Sequence, residues 1–342
     1  MRVTDVLIVG GGVAGLTVAK ELARDGIRSV IVEKGDRPGG RTSLISHVFP
    51  SKVSGHQIIA ELSSKIDRDM VDILTSSTVV RISRDDVAFL AEVNSGENEL
   101  TVRSKAVVLA TGLEPIDASI IREFGLGRFA DVITSLDLEM MLSSGKVKRP
   151  SDGSIPRTVV FVQCVGSRVE RRGVRYCSNI CCMNAIKNSS LIREMHPGTR
   201  CFVLYIDIRT HGKGYEDAYK EARRKGVVFI RGQPSMVLQK DSSLSVCGEN
   251  TLLKELYEIE ADLVVLSVGL RTSKEERTLF SSCGVGMDRD GLPLTSDEIM
   301  AISTSRADGI FLAGSMEAPK DIRDTISHAR CSAADVRRYL GK

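Results

Sequence analysis

The sequence predicts an α/β fold in which two domains with parallel sheets share one chain, the second domain being inserted into the first. One observation is a strand–turn–helix–strand pattern at 5–33, DVLIVGGGVAGLTVAKELARDGIRSVIVE. The other is a similar alternation in the middle of the chain, where the apolar runs RTVVFVQC and CFVLYIDI enclose a helical stretch. We expect residues 1–118 and 255–342 to form the outer domain and residues 119–254 to form the inserted one.

The composition of the chain argues against several classes of protein. The chain has 342 residues, 42% of them hydrophobic, which is enough for two cores. Net charge is +3, aromatic residues make up 4% and Trp is absent, so we expect no nucleic-acid partner. No apolar run reaches the roughly 18 residues that a membrane span needs, and no secretory signal is recognisable. The sequence therefore predicts a cytoplasmic protein with no transmembrane segment.

Each residue of the turn after the first strand has a physical role in holding a dinucleotide. Gly10 permits a tight turn, Gly12 lets the backbone approach a pyrophosphate, and Gly15 lets the helix pack against the strand. The N-terminus of the helix presents free N–H groups to the phosphates. Glu33 ends the second strand and can accept hydrogen bonds from a ribose diol. The complete arrangement predicts a bound dinucleotide rather than a glycine-rich turn of purely structural role.

Three further segments resemble the two-dinucleotide-binding flavoproteins, whose fold is that of thioredoxin reductase. They are the Gly39-Gly40 doublet, AVVLATG at 106–112, and DGIFLAGSMEAPKD at 308–321. The resemblance implies FAD as the cofactor, although Ser315 stands where the family usually has an acidic residue. The residues expected to contact FAD are Gly10, Gly12, Val13, Ala14, Gly15, Glu33, Lys34, Gly40, Arg41, Thr42, Val79, Ala110, Thr111, Gly112, Gly314, Ser315, Lys320, Asp321 and Ile322.

A second dinucleotide motif is missing from the inserted domain. After the strand RTVVFVQC, a domain that binds NAD(P)H would carry another glycine-rich phosphate turn, but the chain reads QCVGSRVERRGVRYCSNICC. This stretch contains Cys164, Cys177, Cys181 and Cys182 in the spacing C-x12-C-x3-C-C. The sequence thus predicts that cysteine chemistry replaces nicotinamide binding.

The four clustered cysteines admit several interpretations. A structural disulfide is disfavoured in a reducing cytosol, and a dithiol of thioredoxin-reductase type needs a C-x2-C pair, which this segment lacks. Zinc suits four thiolates but prefers two C-x2–4-C pairs. A [4Fe–4S] cluster offers four separate iron corners, which Cys181 and Cys182 on the first turn of a helix can each reach. We favour the cluster and leave zinc and a disulfide as alternatives.

The neighbouring basic residues and the remaining cysteines carry weaker expectations. Arginines in the same loop would offset the negative charge of a cluster with four thiolates, unless they form only a solvated surface. They are Arg168, Arg171, Arg172 and Arg175. The other cysteines are expected to be buried as small hydrophobic side chains. They are Cys201, Cys247, Cys283 and Cys331.

Three longer segments make the resemblance more specific. QCVGSR…YCSNICCMNAIK, DIRTHGKGYEDAYKEARRKGVVFIRG and FLAGSMEAPKDIRDTISHA are similar to HdrA, the flavoprotein component of heterodisulfide reductase in methanogens and their relatives. The resemblance covers essentially the whole chain. It implies that the four clustered cysteines bind a [4Fe–4S] cluster beside FAD and that Lys187 lies near flavin N5. It also places Lys320 near the pyrimidine edge of the flavin.

The chain departs from the archaeal HdrA proteins, which are longer and carry extra ferredoxin-type domains. It has no C-x2-C-x2-C run and no cysteine in the stretch after the first flavin motif. We therefore expect a core with one cluster, similar to the short HdrA-like flavoproteins of the heterodisulfide-reductase-like complex of sulfur-oxidising bacteria and archaea. This puts electron bifurcation in doubt. The resemblance implies a homodimer with HdrB- and HdrC-like iron–sulfur subunits and a lipoate-binding protein as partners.

The predicted function is electron transfer between FAD and the cluster in an oxidoreductase subunit, with sulfur or disulfide chemistry on the partner subunits. Two other classes remain open. One is an NAD(P)H-dependent flavin disulfide reductase, which the missing second motif disfavours. The other is a non-catalytic subunit that uses both cofactors only to organise a complex.

Overall fold

The computed structural model describes residues 1–96, 98–171 and 173–342, which form two compact units. Unit 1 comprises Met1–Ser43, Ser54–Glu114 and Arg271–Lys342. Unit 2 comprises Leu44–Val53 and Pro115–Leu270 and therefore interrupts the sequence of unit 1.

Strands and helices alternate along most of the chain. The strands are β1 (Arg2–Val9), β2 (Ser29–Val32), β3 (Val71–Leu74), β4 (Ser77–Arg84), β5 (Phe89–Ser95), β6 (Asn98–Leu109), β7 (Glu114–Pro115), β8 (Val132–Thr134), β9 (Thr158–Val165), β10 (Arg200–Tyr205), β11 (Val228–Arg231), β12 (Met236–Lys240), β13 (Ser243–Asn250), β14 (Glu255–Ala261), β15 (Leu263–Val268), β16 (Leu270–Arg271), β17 (Thr295–Asp297), β18 (Ala301–Ser305) and β19 (Ile310–Leu312). The α-helices are α1 (Val13–Arg24), α2 (Gly55–Ser64), α3 (Ser135–Ser143), α4 (Cys181–Met195), α5 (Tyr215–Arg224), α6 (Lys274–Ser282) and α7 (Ile322–Tyr339). Short 3-10 helices cover Gly40–Leu44, Ala118–Ile120, Arg122–Phe124 and Gly314–Met316.

The main sheet of unit 1 runs in the order β17-β18-β19-β6-β1-β2-β3, with β5 pairing to β6 and β4 to β5. β1 is parallel to β2 and to β6, and its register sets Val9 beside Val32 and Leu109. Val6–Val9 are buried, as expected for parallel strands covered on both faces. Because these three strands end side by side, the segments that follow them meet at one edge of the sheet.

The main sheet of unit 2 is parallel and runs in the order β11-β10-β9-β15-β8. All residues of the central strand β9 are buried, which agrees with its continuous apolar sequence. A separate antiparallel sheet runs in the order β12-β13-β14. The segment Leu44–Val53 packs in this unit, where the Phe49 ring meets the Tyr215 ring edge to face with centroids 5.0 Å apart.

The two units differ in three places from the boundaries expected from the sequence. Residues 255–270 lie in unit 2 rather than the outer domain, because β14 pairs with β13 and β15 pairs with both β9 and β8. Residues 44–53 and 115–118 also lie in unit 2. All three differences come from contacts between residues that are distant in sequence, such as the Phe49–Tyr215 ring contact and the Ile116–Gly269 hydrogen bond.

Among the residues that the structure describes, no helix is both long enough and apolar enough to cross a lipid bilayer.

Candidate functional site

The glycine-rich turn of unit 1 joins the end of β1 to the start of α1. Gly10 has φ +106, and a Cβ on Gly15 would lie 1.9 Å from the Gly10 carbonyl oxygen, so both positions exclude other residues for reasons within the protein. A Cβ on Gly12 would meet no atom within 4 Å. No side chain caps the N-terminus of α1, which begins at Val13. Open space beside an uncapped helix N-terminus suits a phosphate group.

The other predicted FAD segments converge on this turn within unit 1. A Cβ on Gly10 would lie 2.5 Å from the Ala110 carbonyl oxygen, and one on Gly314 would lie 2.7 Å from the Ala14 Cβ. The Gly39 N–H donates to the Gly11 carbonyl at 2.8 Å, which brings the glycine doublet across the turn. Three segments predicted separately from the sequence therefore meet at the start of α1.

Glu33 is buried at the end of β2, beside the turn. Its Oε2 accepts a hydrogen bond from the Gly11 N–H at 2.7 Å, and its Oε1 accepts one from the Gly35 N–H at 2.7 Å. A carboxylate has about four acceptor positions, so capacity remains for a ribose hydroxyl. The two backbone hydrogen bonds fix the carboxylate next to the phosphate turn.

Arg41 brings a positive charge to the same unit. A Cβ on Gly112 would lie 3.8 Å from Arg41 Nη2 and 3.8 Å from Ser315 Oγ, so these three predicted contacts are neighbours. Burial lowers the pKa of Arg41, against the opposing effect of Glu276 and Glu114. A largely desolvated guanidinium at this place suits an anionic ligand.

The remaining predicted FAD contacts also lie in unit 1, but their surroundings indicate no specific role. Lys34 is exposed after β2, Thr111 follows β6, and Thr42 lies in the 3-10 helix after the doublet. Val79 is buried in β4. The last segment places Lys320 in an ion pair with Glu317, Asp321 at the N-cap of α7 and Ile322 as its first residue. Their roles stay predictions.

His328 was not predicted from the sequence, yet it holds one of these segments. Its Nδ1 accepts a hydrogen bond from the Gly314 N–H at 3.0 Å, and its Nε2 lies 3.1 Å from the Ile302 carbonyl oxygen. This pattern requires a neutral ring protonated on Nε2. Burial lowers the pKa of His328, and Lys320 acts in the same direction. A lone histidine on a helix has no spacing that would reveal this role.

The four clustered cysteines lie together in unit 2, at the carboxyl end of β9 and the start of α4. They line one pocket with Arg168, Asp207 and Arg209. No disulfide joins any of them. Cys164, Arg168 and Asn179 all adopt left-handed backbone conformations, with φ of 60°, 61° and 62°. Such strain in non-glycine residues often marks a functional site.

Hydrogen bonds connect the pocket to its surroundings. The Asn179 N–H donates to Cys177 Sγ at 3.3 Å, and the Cys182 thiol donates to the Asp207 carbonyl oxygen at 3.6 Å. Burial raises the pKa of Cys164 to about 11, and the adjacent Cys182 adds to the rise. Burial likewise raises the pKa of Cys181, and the nearby thiols contribute. Thiolates so placed need a positively charged partner to be stable.

The donor set distinguishes between kinds of metal site. Within the described ranges 1–96, 98–171 and 173–342, no three Cys, His, Asp or Glu side chains converge as ligands of a single ion. A mononuclear zinc site therefore fits this arrangement poorly. A cubane takes one cysteine at each of four irons, so four thiols around one pocket, with N–H donors and arginine, fit it better.

The structure refines the predictions for the arginines and the other cysteines. Arg168 lines the pocket, whereas Arg171 is exposed and Arg175 lies 3.7 Å from Glu170. Arg172 lies outside the described residues. Arg209 lines the pocket but was not predicted, because a single arginine after a strand carries no motif.

Cys201 is buried as expected and Cys247 and Cys283 are partly buried. The expectation was wrong for Cys331, which is exposed on α7.

Lys187 is largely but not fully buried in unit 2, with 10% of its side chain exposed. Its Nζ lies 2.6 Å from Glu139 Oε1 and donates to the His47 carbonyl oxygen at 2.8 Å. Glu139 also accepts hydrogen bonds from the Ser46 N–H at 2.9 Å and from Asn184 Nδ2 at 2.6 Å. Burial acts to raise the pKa of Glu139, but Lys187 and Ser46 outweigh it and the pKa is lowered. The approach of Lys187 to the flavin stays a prediction.

Comparison with solved structures identifies the fold class. The chain matches thioredoxin reductase of T. acidophilum over 100% of both chains, with a TM-score of 0.71 and 19% identity. It matches the bacillithiol disulfide reductase of Bacillus cereus over 98% of this chain and 99% of that one, with a TM-score of 0.66 and 17% identity. Residues 4–148 match the family model "Pyridine nucleotide-disulphide oxidoreductase". The predicted two-dinucleotide-binding flavoprotein fold is confirmed, and the matched family implies FAD as the cofactor.

Comparison with curated proteins narrows the family. The HdrA-type iron–sulfur subunit of the CoB–CoM heterodisulfide reductase of Methanocaldococcus jannaschii is 31% identical over 96% of this chain and 63% of its own length. The HdrA-type subunit of the H2/formate:CoB-CoM heterodisulfide,ferredoxin reductase of Methanococcus maripaludis is 40% identical over 70% of this chain and 37% of its own length. The chain belongs to the HdrA family of heterodisulfide reductase flavoproteins and spans less than two thirds of the length of these relatives.

Proposed function

We propose that the chain is an electron-transfer subunit that holds FAD in unit 1 and a [4Fe–4S] cluster in unit 2, within a heterodisulfide-reductase-like complex. When bound, these groups supply a two-electron and a one-electron carrier. The observation that carries the proposal is the set of four cysteines around one pocket, placed where a second dinucleotide turn would follow β9.

The residues of unit 1 would bind and orient FAD. The N-terminus of α1 faces the open space at Gly12, and Glu33 is fixed beside it for the ribose. Arg41 offers a desolvated positive charge close to Gly112 and Ser315. The convergence of these separate segments on one turn supports FAD rather than a mononucleotide.

The residues of unit 2 would hold the cluster and leave no phosphate turn for a nicotinamide dinucleotide. Cys181 and Cys182 occupy the first turn of α4, where the helix N-terminus favours negative charge on sulfur. The segment between β9 and α4 folds over itself, since a Cβ on Gly173 would lie 1.8 Å from the Gly166 carbonyl oxygen. The turn that would bind a pyrophosphate in an NAD(P)H domain is replaced by this segment.

The relatives are A subunits of heterodisulfide reductases, which supports a place for this chain in a complex of that kind. We extend to this chain an association with HdrB- and HdrC-like iron–sulfur subunits, as a homodimer in the cytoplasm, with a lipoate-binding protein as a further partner. From the resemblance to the short HdrA-like flavoproteins, we assign sulfur oxidation as the metabolic role of that complex. Lys187 is proposed to stabilise the reduced flavin near N5.

Anaerobic purification tests the proposal. We expect a brown protein with one FAD and about four irons per chain, which does not oxidise NADPH in steady state. A yellow, iron-free protein that turns over NADPH rapidly would instead be a flavin disulfide reductase. A flavin that dithionite fails to reduce would favour the non-catalytic role.

A further inference from the structure

Arg168 lies in the loop between β9 and α4 and lines the same pocket as Cys164 and the other clustered cysteines. Its Nη2 donates to Asp207 Oδ2 at 2.7 Å, and its side chain is 22% exposed. One arginine thus links a candidate cluster ligand to a carboxylate on the loop after β10.

Asp207 fixes where this charge lies. Besides Arg168, its carboxylate has Arg231 at 3.7 Å, and its backbone carbonyl accepts the Cys182 thiol at 3.6 Å. The left-handed φ of Arg168, 61°, is an unusual conformation for an arginine. The backbone and the ion pair together direct the guanidinium to the cysteines rather than to solvent.

The local charges argue against a role for these arginines in binding an acidic partner protein. Arg168, Arg209 and Arg231 surround one acid, Asp207, and four thiolates with their cluster would add a net negative charge in the same place. The arginines then offset the cluster's own charge and leave little excess to attract an acidic protein.

We propose that Arg168 raises the reduction potential of the cluster and that Asp207 is a positioning residue which holds the guanidinium in place. This inference rests on the proposed function. Reduction adds one electron to the cluster, supplied by the reduced flavin, with no bond formed or broken. Because the reduced form carries more negative charge, a nearby guanidinium stabilises it more than the oxidised form.

The test is a redox titration of the anaerobic holoprotein, with the cluster followed by electron paramagnetic resonance and iron measured in each sample. We expect Arg168→Gln to lower the equilibrium constant for reduction about tenfold, which is about 59 mV for a one-electron couple. Arg168→Lys, which keeps the charge, should recover part of the shift. Arg171→Gln removes an exposed arginine of the same loop and should leave the potential unchanged.

The Asp207→Asn variant distinguishes the positioning of Arg168 by Asp207 from a direct effect of the Asp207 charge on the cluster. Removing a negative charge by itself would raise the potential, whereas releasing Arg168 would lower it. We expect a fall, and no further fall when Asp207→Asn is added to Arg168→Gln. A rise would overturn the positioning role.

The outcomes separate this inference from the proposed function. An unchanged potential in Arg168→Gln with full iron content would overturn the tuning role and leave the cluster assignment intact. If Arg168→Gln lost its iron, the tuning role would be tested by the reduction potentials of the Arg168→Lys and Asp207→Asn variants instead. Wild-type protein without iron would instead refute the proposed function itself.

Discussion

The three glycines of the phosphate turn have different reasons to be glycine. Gly10 and Gly15 are required by the protein, because a side chain at either position would collide with backbone atoms. Gly12 has φ −73 as the N-cap of α1 and faces open space. Its lack of a side chain therefore has no explanation within the protein and points to a ligand.

This contrast predicts separate effects on folding and on cofactor binding. Gly12→Ala should lower the stability of the FAD-free protein by less than about 1 kcal/mol, the effect of losing glycine at an N-cap, and should weaken FAD binding about tenfold, or ~1.4 kcal/mol. Gly15→Ala should destabilise the protein by about 3 kcal/mol through overpacking. Fluorescence titration with FAD and urea unfolding measure the two effects.

Gly198 provides the control for both substitutions. It is exposed and a Cβ there would meet no atom within 4 Å, so Gly198→Ala should change neither quantity. Equal FAD affinity of wild type and Gly12→Ala would show that no ligand uses the space at Gly12.

At the scale of elements, His328 connects α7 with the strands that carry the last flavin segment. The ring accepts from Gly314 and donates to Ile302 only in its neutral form. Its folded-state pKa is lowered, by burial first and by Lys320 second, with Glu317 opposing. The folded protein therefore binds fewer protons here than the unfolded chain, and stability must depend on pH.

Unit 1 should lose stability as pH falls below about 6.5, the ordinary pKa of histidine. Above that value the contribution is complete, and below it the slope approaches about 1.4 kcal/mol per pH unit until the folded-state pKa is reached. Urea unfolding between pH 5 and pH 8 measures this. His328→Asn should flatten the dependence, whereas replacement of the exposed His56 by Asn should not. The reverse pattern would mean that other groups cause the slope.

A second buried contact, the Glu139–Lys187 pair, joins α3 and α4 to the segment 44–53. Glu139 is 1% exposed and Lys187 is 10% exposed, so neither charge is well solvated. Loss of one partner leaves the other charge buried, which is more costly than loss of an exposed ion pair.

Glu139→Gln should lower the free energy of unfolding by about 3 kcal/mol in urea titrations. Lys240→Gln breaks the exposed Lys240–Glu258 pair and should leave the free energy of unfolding nearly unchanged. Similar small effects in both variants would show that the Glu139–Lys187 pair is not important for the stability of unit 2.

At the scale of the whole molecule, local pattern in the sequence was enough to predict the fold class and the elements that carry the site. The spacing of Gly10, Gly12 and Gly15 and the apolar runs of β1 and β9 depend on residues adjacent in sequence. The grouping of the four cysteines in one pocket was expected because they lie within nineteen consecutive residues.

Features that depend on long-range pairing were not predictable in this way. The strand at 263–268 looks equally apolar in either unit, and only its pairing with β9 and β8 places it in unit 2. The contacts of His328 and Arg209 come from single residues with no recognisable spacing. The burial of Lys187 depends on Glu139, 48 positions away.

Iron content of cysteine variants tests the central claim most directly. Anaerobically purified wild-type protein should contain about four irons per chain, and replacing Cys181 or Cys182 by Ala should remove most of this iron. Replacing the exposed Cys331 by Ala should leave the iron content unchanged. Wild-type iron content in the Cys181→Ala and Cys182→Ala variants, or an iron-free wild-type protein, would contradict the account.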